Sequence, residues 1–568
     1  MSVCGGDVLL ELFQNHGIEY IFCSPGSEWV PVWEGLAKRY SHGESNIKYI
    51  NCRHEILAVS AATGYSKATG QLTAVLLHAN FGPLLGAMAI RAAQWARAPV
   101  IICSSYTSDY GEDGGGVGRQ SHWLSFMSDI GGPSTLVRSF VKWSNTVTSK
   151  ETLIDSIIRG CQIAQTDPLG PVFIAIPKEL ILKSLPGTKI PSSASVLSRA
   201  QPHYDDLEEI ARQLLASKQP IIITEHVGEN PEAVTKMAEL AELLSIPVFE
   251  GISPVFANFP KNHPLHQGYD ATEALNEADT ILIIGAITPW YPPSAFPQNS
   301  ASTIVLDDDP LRPRLPYYGY QNDLVIGGDI KQSLAELVNI VRNHIKGSDY
   351  PVSIYQERLE RYKTKHNQMV EDWISEAHAE KSNKPISPKW FYYVANKLLP
   401  SNSISIIETV THTRYAYRYL TGAKRYFRTN GGGLGIGLGI AIGTKLAYRD
   451  TPVIYHVGDG SFNYNPVLAG LGLCQEYQLP IMTIILNNGS YAAMRIEHQT
   501  YFPNGWAATR DSYIGVDILP RPDYTKVAEA FNMHTERLED PNSIEPALKS
   551  ALQNITSGKP ALLDVIMK

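Results

Sequence analysis

The chain has 568 residues, too many for one hydrophobic core, so about two to four domains are expected. Hydrophobic residues at 44% and charged residues at 18% suit a globular protein, and a net charge of −8, from 48 basic and 56 acidic residues, gives no support to nucleic-acid or acidic-membrane binding. The six cysteines (4, 23, 52, 103, 161 and 474) form no CxxC pair, and no apolar run approaches the roughly 20 residues of a membrane span. Zinc and disulfide frameworks are disfavoured, no signal peptide is read at the N-terminus, and a cytoplasmic location is expected.

In chain order, Gly6 to His16 has its apolar residues Val8, Leu9, Leu12 and Phe13 at helical spacing. Ile18 to Phe22 reads as a strand stopped by Ser24-Pro25-Gly26-Ser27, and 47–51 reads as a second. A helix with many small residues is predicted over 56–69, a strand over 72–77 ending at His78, a helix over 88–97 and a strand over 100–104. Strand–helix alternation predicts a doubly wound parallel sheet, in which ligands sit beyond the strand C-termini. Ser27, Glu55 and His78 all follow strand ends, so the topology allows them to face one crevice. The stretch 111–118 is too glycine-rich for a helix and reads as a surface loop, with Gln120 and His122 just beyond.

The proline- and serine-rich stretch 186–201 reads as a linker. A second alternating pattern follows, with helices over 207–215 and 233–244 and strands over 220–224, 247–249, 280–285 and 302–307, without a GxGxxG phosphate fingerprint. Residues 340–385 are charged and largely helical in pattern. The third segment has a strand over 403–407 and a glycine-rich Gly431-Gly432-Gly433-Leu434-Gly435 ahead of a helix. The expected architecture is therefore α/β, three doubly wound parallel-sheet domains over 1–185, 200–345 and 386–568.

The chemistry concentrates in 453–491. An apolar strand leads into Gly458-Asp459-Gly460, a helix follows, and a second apolar strand, 481–486, ends in Asn487-Asn488. If the two strands are neighbours in a parallel sheet, Asp459 and Asn488 meet at one edge. A carboxylate, a side-chain amide and a nearby backbone carbonyl suit a hard cation such as Mg2+, and the glycines let the backbone approach a phosphate.

This GDG…NN unit resembles the diphosphate-binding signature of thiamine-diphosphate-dependent enzymes. RHEILAVSAATGYSKATG is similar to the segment that carries the cofactor-activating glutamate in the 2-keto acid decarboxylase and acetolactate synthase superfamily, and LLHANFGPLLGAM and IFCSPGSEWVPVW resemble benzoylformate decarboxylase most closely. The resemblance spans nearly the whole chain and names the three domains pyrimidine-binding, central and diphosphate-binding. It implies thiamine diphosphate and Mg2+ as cofactors. FAD, carried by some relatives in the central domain, is possible but not favoured.

By family position, Glu55, His78 and Ser27 are the catalytic candidates: Glu55 to activate the cofactor, His78 to transfer protons, Ser27 to meet the substrate carboxylate. The cofactor would be held by Glu55, Thr409, Thr411, Gly432, Leu434, Gly458, Asp459, Gly460, Ser461, Asn488, Ser490 and Tyr491, and the metal by Asp459, Asn488 and the Ser490 carbonyl. His412 is a further candidate facing substrate, and Trp29, Phe81, Trp290 and Tyr291 are candidates for an apolar substrate wall or for core packing. One departure stands out: Pro292 occupies the position of the second catalytic histidine of benzoylformate decarboxylase. The implied reaction is nonoxidative decarboxylation of a 2-keto acid, or acyloin carboligation with an aldehyde or ketone acceptor, in a homodimer or homotetramer. An acetolactate-synthase-like transferase and a cofactor-binding paralogue without activity are the alternatives. The stretch 502–518 is expected to cover the site.

Overall fold

The structure, a computed structural model, describes residues 3–44, 46–108, 126–192, 195–251, 254–294, 297, 301–347, 352–421, 425–428 and 433–567. It contains three parallel sheets. The first comprises β1 (Tyr20–Cys23), β2 (Lys48–Asn51), β3 (Thr73–Leu77), β4 (Val100–Tyr106), β5 (Trp143–Thr146) and β6 (Val172–Pro177), in the order β2-β1-β3-β4-β6-β5. The second comprises β7 (Pro220–Thr224), β8 (Val248–Glu250), β9 (Thr280–Ile284), β10 (Ser302–Asp307) and β11 (Leu324–Gly327), in the order β11-β10-β9-β7-β8. The third comprises β12 (Ile404–Glu408), β13 (Arg425–Arg428), β14 (Val453–Gly458), β15 (Ile481–Asn487), β16 (His534–Leu538) and β17 (Ala561–Ile566), in the order β13-β12-β14-β15-β17-β16. The first and third sheets therefore have one and the same topology. Near-continuous apolar strands such as β3, β6 and β15 are buried along their whole length, as expected where helices cover both faces of a parallel sheet.

Two helices join the first and third domains. Helix α1 (Glu55–Thr69) follows β2, and the topologically equivalent helix after β13 is Gly437–Ala447. They pack against each other with almost no side chain between their backbones. A Cβ built on Gly64 would lie 2.7 Å from the Ile440 Cα, and one on Gly443 would lie 2.6 Å from the Tyr65 N and collide with the Ala61 carbonyl. The small residues read in 56–69 thus serve helix–helix contact between domains.

The helix expected over 88–97 is α2, Phe81–Trp95, and begins seven residues earlier than predicted. Gly82-Pro83 looks like a break, but both lie in the first turn, where proline forfeits no intrahelical hydrogen bond. The early start puts Phe81, Leu84 and Leu85 on one exposed face just beyond His78. The charged stretch 340–385 is carried mainly by the helices Ile330–Gly347 and Val352–Ala379. The second is docked on the central domain: Arg358 is buried and donates to the Leu244, Ser217 and Lys218 carbonyls. All six cysteines are unpaired, and among the described residues no helix is long and apolar enough to cross a membrane.

Candidate active site

At the C-terminal edge of the third sheet, β14 and β15 are adjacent and parallel, with Gly458 opposite Leu486. The chain does not loop at the GDG stretch. β14 runs through Gly458, and helix α3 (Gly437–Ala447), which packs behind it, is followed in sequence by α4 (Asp459–Tyr464), starting at Asp459 itself. Asp459 is 2% exposed, and its Oδ2 accepts from the Gly489 N–H at 2.9 Å. Burial raises the Asp459 pKa, and backbone N–H donors oppose that rise in part. Among the described residues no cation forms an ion pair with this carboxylate, and the nearby charge of Arg521 offsets its burial only in part.

Asn488 lies one residue before the donor Gly489. Its Oδ1 accepts from the Ser490 N–H at 3.0 Å and from the Ser490 hydroxyl at 3.5 Å. Its own carbonyl accepts from Arg521 at 3.0 Å. Asp459 and Asn488 are therefore brought together through Gly489, beside the Ser490 backbone. A Cβ on Gly458 would meet nothing nearer than the Ser461 Oγ at 4.0 Å, whereas one on Gly460 would meet the Tyr491 ring at 2.7 Å. Space thus remains next to Gly458, and the Tyr491 ring closes the side next to Gly460. A buried carboxylate without an ion-pair partner among the described residues, a neighbouring amide oxygen and open backbone beside glycine fit a hard cation bound to a diphosphate.

Asn487, the first of the pair, plays a different part. It is fully buried and donates through Nδ2 to Asp564 on β17 at 2.9 Å. Arg537 lies 3.3 Å from the same carboxylate, whose pKa is nevertheless raised to about 6 by burial. Asn487 anchors the loop, and Asn488 is left at the sheet edge. The stretch 502–518 folds back onto that loop: Tyr491 N donates to the Val516 carbonyl and Ile518 N to the Gly489 carbonyl, each at 2.8 Å.

Thr409 and Thr411 follow β12. The Thr409 hydroxyl is 2.9 Å from that of Thr413, at the start of the helix Thr413–Tyr419, and Thr411 is half-buried. His412 is 7% exposed, and burial, then Arg414, lowers its pKa to about 4, so it is neutral near pH 7. Ser461 is buried and its carbonyl accepts from Asn465 at 2.8 Å. Leu434 is half-buried in the segment ahead of α3. Gly432, Gln120, His122 and the loop 111–118 lie outside the described residues.

A residue that sequence reasoning missed organises this side. Glu408, the last residue of β12, is buried and accepts from Gly435 N at 2.8 Å, Ile436 N at 2.9 Å and Asn465 Nδ2 at 2.9 Å, and from the Tyr455 hydroxyl. Burial raises its pKa, against the pull of these donors. It ties the strand end to the segment that carries Leu434. An acid closing a run of four buried apolar or small residues was its only sequence signal.

At the equivalent edge of the first sheet, Glu55 is the first residue of α1 and is 8% exposed. His78 follows β3, and Ser27 is exposed at the start of a short 3-10 turn, Ser27–Trp29. The unpredicted member is Glu28. It is 4% exposed, lies 2.9 and 3.1 Å from the His78 Nδ1 through its two oxygens, and accepts from Ala79 N at 2.7 Å. This hydrogen bond raises the His78 pKa, against partial burial, with smaller help from the charges of Glu28 and Glu55. A Cβ on Gly26 would collide with the Glu28 carboxylate and the His78 ring, so only glycine leaves room for the pair. Trp29 belongs to the core, its indole donating to the Leu77 carbonyl at 3.0 Å, and Trp290 is buried edge-on against Tyr320. Phe81 and Tyr291 are exposed. Among the described residues no hydrogen bond or ion pair links the Glu55–His78 edge to the Asp459–Asn488 edge.

A cavity of about 410 Å³ lies where the central domain meets the other two, lined also by Lys67 and Arg97 of the first domain and Phe427 and Tyr448 of the third. His226, Gly285, Asp307 and Asp308 line it, and Arg97 of the first domain pairs with Asp308.

Three α/β domains carry a buried carboxylate, without an ion-pair partner among the described residues, beside open glycine backbone. Comparison with known proteins names the class. Models of the N-terminal thiamine pyrophosphate binding domain, the central domain and the C-terminal thiamine pyrophosphate binding domain match residues 4–125, 207–337 and 408–565. The chain belongs to the thiamine pyrophosphate enzyme family. It is 27% identical to benzoylformate decarboxylase of Pseudomonas aeruginosa, over 98% of this chain and 97% of that one. It is 24% identical to acetolactate synthase isozyme 3 large subunit of Escherichia coli, over 99% and 94%. Among solved structures, a thiamine-diphosphate-dependent 4-hydroxybenzoylformate decarboxylase of Rhodococcus jostii shares the fold with a TM-score of 0.79 at 23% identity, covering 100% and 99% of the two chains. Benzoylformate decarboxylase of Polynucleobacter necessarius does so with a TM-score of 0.79 at 19% identity, covering 100% and 98%.

Proposed function

We propose that the chain is a thiamine-diphosphate- and Mg2+-dependent enzyme that cleaves or forms a C–C bond next to a carbonyl, by nonoxidative decarboxylation of a 2-keto acid, acyloin carboligation, or both. The observation that carries this reading is Asp459, a buried carboxylate without an ion-pair partner among the described residues, held by Gly489 next to Asn488. Asp459, the Asn488 amide oxygen and the Ser490 carbonyl would hold the metal, with Gly458, Gly460, Ser461, Thr409, Thr411 and Tyr491 around the diphosphate. Leu434, positioned through Glu408, and Gly432 would lie against the cofactor, and Glu55 would take a hydrogen bond from its pyrimidine ring. When bound, the cofactor would supply a nucleophilic carbon and an electron sink for the pair released with CO2. Ser27 would meet the substrate carboxylate. His78, kept protonated to higher pH by Glu28, would deliver a proton to the carbon that loses CO2.

Among the described residues no hydrogen bond or ion pair joins the two edges, and the Phe81, Leu84 and Leu85 face beside His78 is exposed. Both facts support a second copy completing the site, in a homodimer or a dimer of dimers. The absence of a histidine at Pro292 leaves His78 as the principal proton donor. A flavin-containing, acetolactate-synthase-like transferase is the second reading, favoured by the central cavity, whose size lies within the range of small-molecule pockets of about 300–1,000 Å³. A yellow purified protein would support it.

The test is a product screen with thiamine diphosphate, Mg2+ and a panel of 2-keto acids, with and without an acceptor aldehyde, followed by mass spectrometry. Free aldehyde identifies a decarboxylase, product only with acceptor a carboligase, and acetolactate from pyruvate a synthase. Failure to bind thiamine diphosphate with Mg2+ would sink the proposal.

A further inference from the structure

A second cavity, of about 210 Å³, lies in the cleft between the first and central domains. That is several times the roughly 30 Å³ a water molecule occupies in the liquid. Its walls carry five cations, Arg91, Arg97, Lys142, Arg312 and Arg314, and one carboxylate, Asp309. Two of the five are neutralised elsewhere. Arg97 pairs with Asp308 and lies 3.6 Å from Asp309, and Arg312 pairs with Asp307 at 2.6 Å. The other three have no carboxylate within ion-pair distance among the described residues. Arg91 is exposed, its guanidinium 5.2 Å from the centre of the Trp95 ring. Arg314 donates to the Val141 carbonyl at 2.8 Å, and Lys142 to the Ile163 and Thr166 carbonyls, each at 2.5 Å. Each retains N–H donors beyond these bonds.

Three cations without an ion-pair partner among the described residues converge from two domains and repel one another, with Asp167 offsetting part of the charge at Lys142 and Asp309 part of that at Arg314. The Arg314 pKa is lowered by burial and then by Arg91, and the Lys142 pKa falls to about 8 through burial, with Arg314 pushing in the same direction and Asp167 opposing. Hydrogen-bonding capacity at the cleft is also unspent: the Trp95 indole N–H and the buried Arg312 Nε–H have no partner. An anion with several acceptor oxygens would satisfy both the charge and the donors, and two arginines and a lysine are suited to phosphoryl oxygens.

We propose that the cleft lined by Arg91, Lys142 and Arg314 binds a small phosphate-bearing anion that bridges the first and central domains. The site is separate from the crevices of the proposed reaction and does not depend on that reading. The probes are inorganic phosphate and pyrophosphate, titrated calorimetrically into the full-length chain at low ionic strength, with and without saturating thiamine diphosphate and Mg2+. Thermal unfolding is followed in parallel. The expected result is saturable binding that raises the unfolding midpoint, is unchanged by thiamine diphosphate, and weakens at least about tenfold in both R91Q and R314Q. Arg91 is exposed and has no ion-pair partner, so R91Q keeps the test open should R314Q not fold. Absence of saturable binding, equal binding in R91Q, or displacement by thiamine diphosphate would each overturn the proposal.

Discussion

The first and third domains present the same sheet twice and put opposite chemistry on it. Counted within each sheet, the third strand leads to His78 in one and Asp459 in the other, and the first leads to Glu28 and to Glu408. In the first domain the acid is spent on a titratable partner: Glu28 holds the His78 imidazole and favours its charged form. In the third, Glu408 is spent on backbone N–H groups and a tyrosine, while Asp459 has no ion-pair partner among the described residues. Under the proposed function, one edge would carry a proton and the other would hold a metal and phosphate. Shared topology decides where a site sits, and the residues at the strand ends decide what it does.

Substitutions can break this division of labour, and the largest effect is expected at Glu55. Glu55→Gln keeps the volume of the side chain and removes its acid, so turnover should fall by roughly 10²–10⁴-fold while cofactor affinity stays near that of the parent. Steady-state kinetics with a cofactor titration separates the two, and near-normal turnover would remove Glu55 from the mechanism. Asp459→Ala should show the converse behaviour. Mg2+-dependent cofactor affinity should drop by about 3 kcal/mol, roughly a hundredfold, because the carboxylate of the metal set is lost. Unchanged affinity would mean that the cation binds elsewhere.

The contact that holds the two domains together is tested by Gly443→Leu. The side chain must enter the space of the Ala61 carbonyl and Tyr65 backbone, and a loss of about 1–3 kcal/mol or more is expected in denaturant unfolding. Stability equal to the parent would show that the helices separate freely. The subtlest expectation concerns Glu28→Gln. The carboxylate raises the His78 pKa, so its removal lowers that pKa, and an activity limb that requires protonated His78 moves to lower pH. A pH profile of kcat/KM that does not move would reduce Glu28 to a packing role.

Read along the chain, the apolar runs marked most of the strands, because parallel strands buried on both faces must be continuously apolar. GDG and NN at successive strand ends were legible for the same reason: glycine and oxygen-bearing side chains directly after buried strands have few other uses. Less legible was the partition between Asn487 and Asn488, since which amide turns inward depends on Asp564, 77 residues away. Glu28 and Glu408 were illegible as functional groups. An acid next to a buried strand reads as a helix or loop residue until its partners, His78 and the Gly435–Ile436 backbone, are in place.

Local sequence thus determined the class of this protein: α/β alternation, three sheets and the residue types of the proposed diphosphate and metal site, all set by burial and spacing along a single strand or turn. Tertiary structure alone decided the rest. It set α1 against α3, buried Asp459 against the Gly489 N–H, put Glu28 under His78 and drew Arg91, Lys142 and Arg314 into one cleft. Those outcomes depend on distances between segments far apart in sequence, and charges and hydrogen bonds act on distance in space.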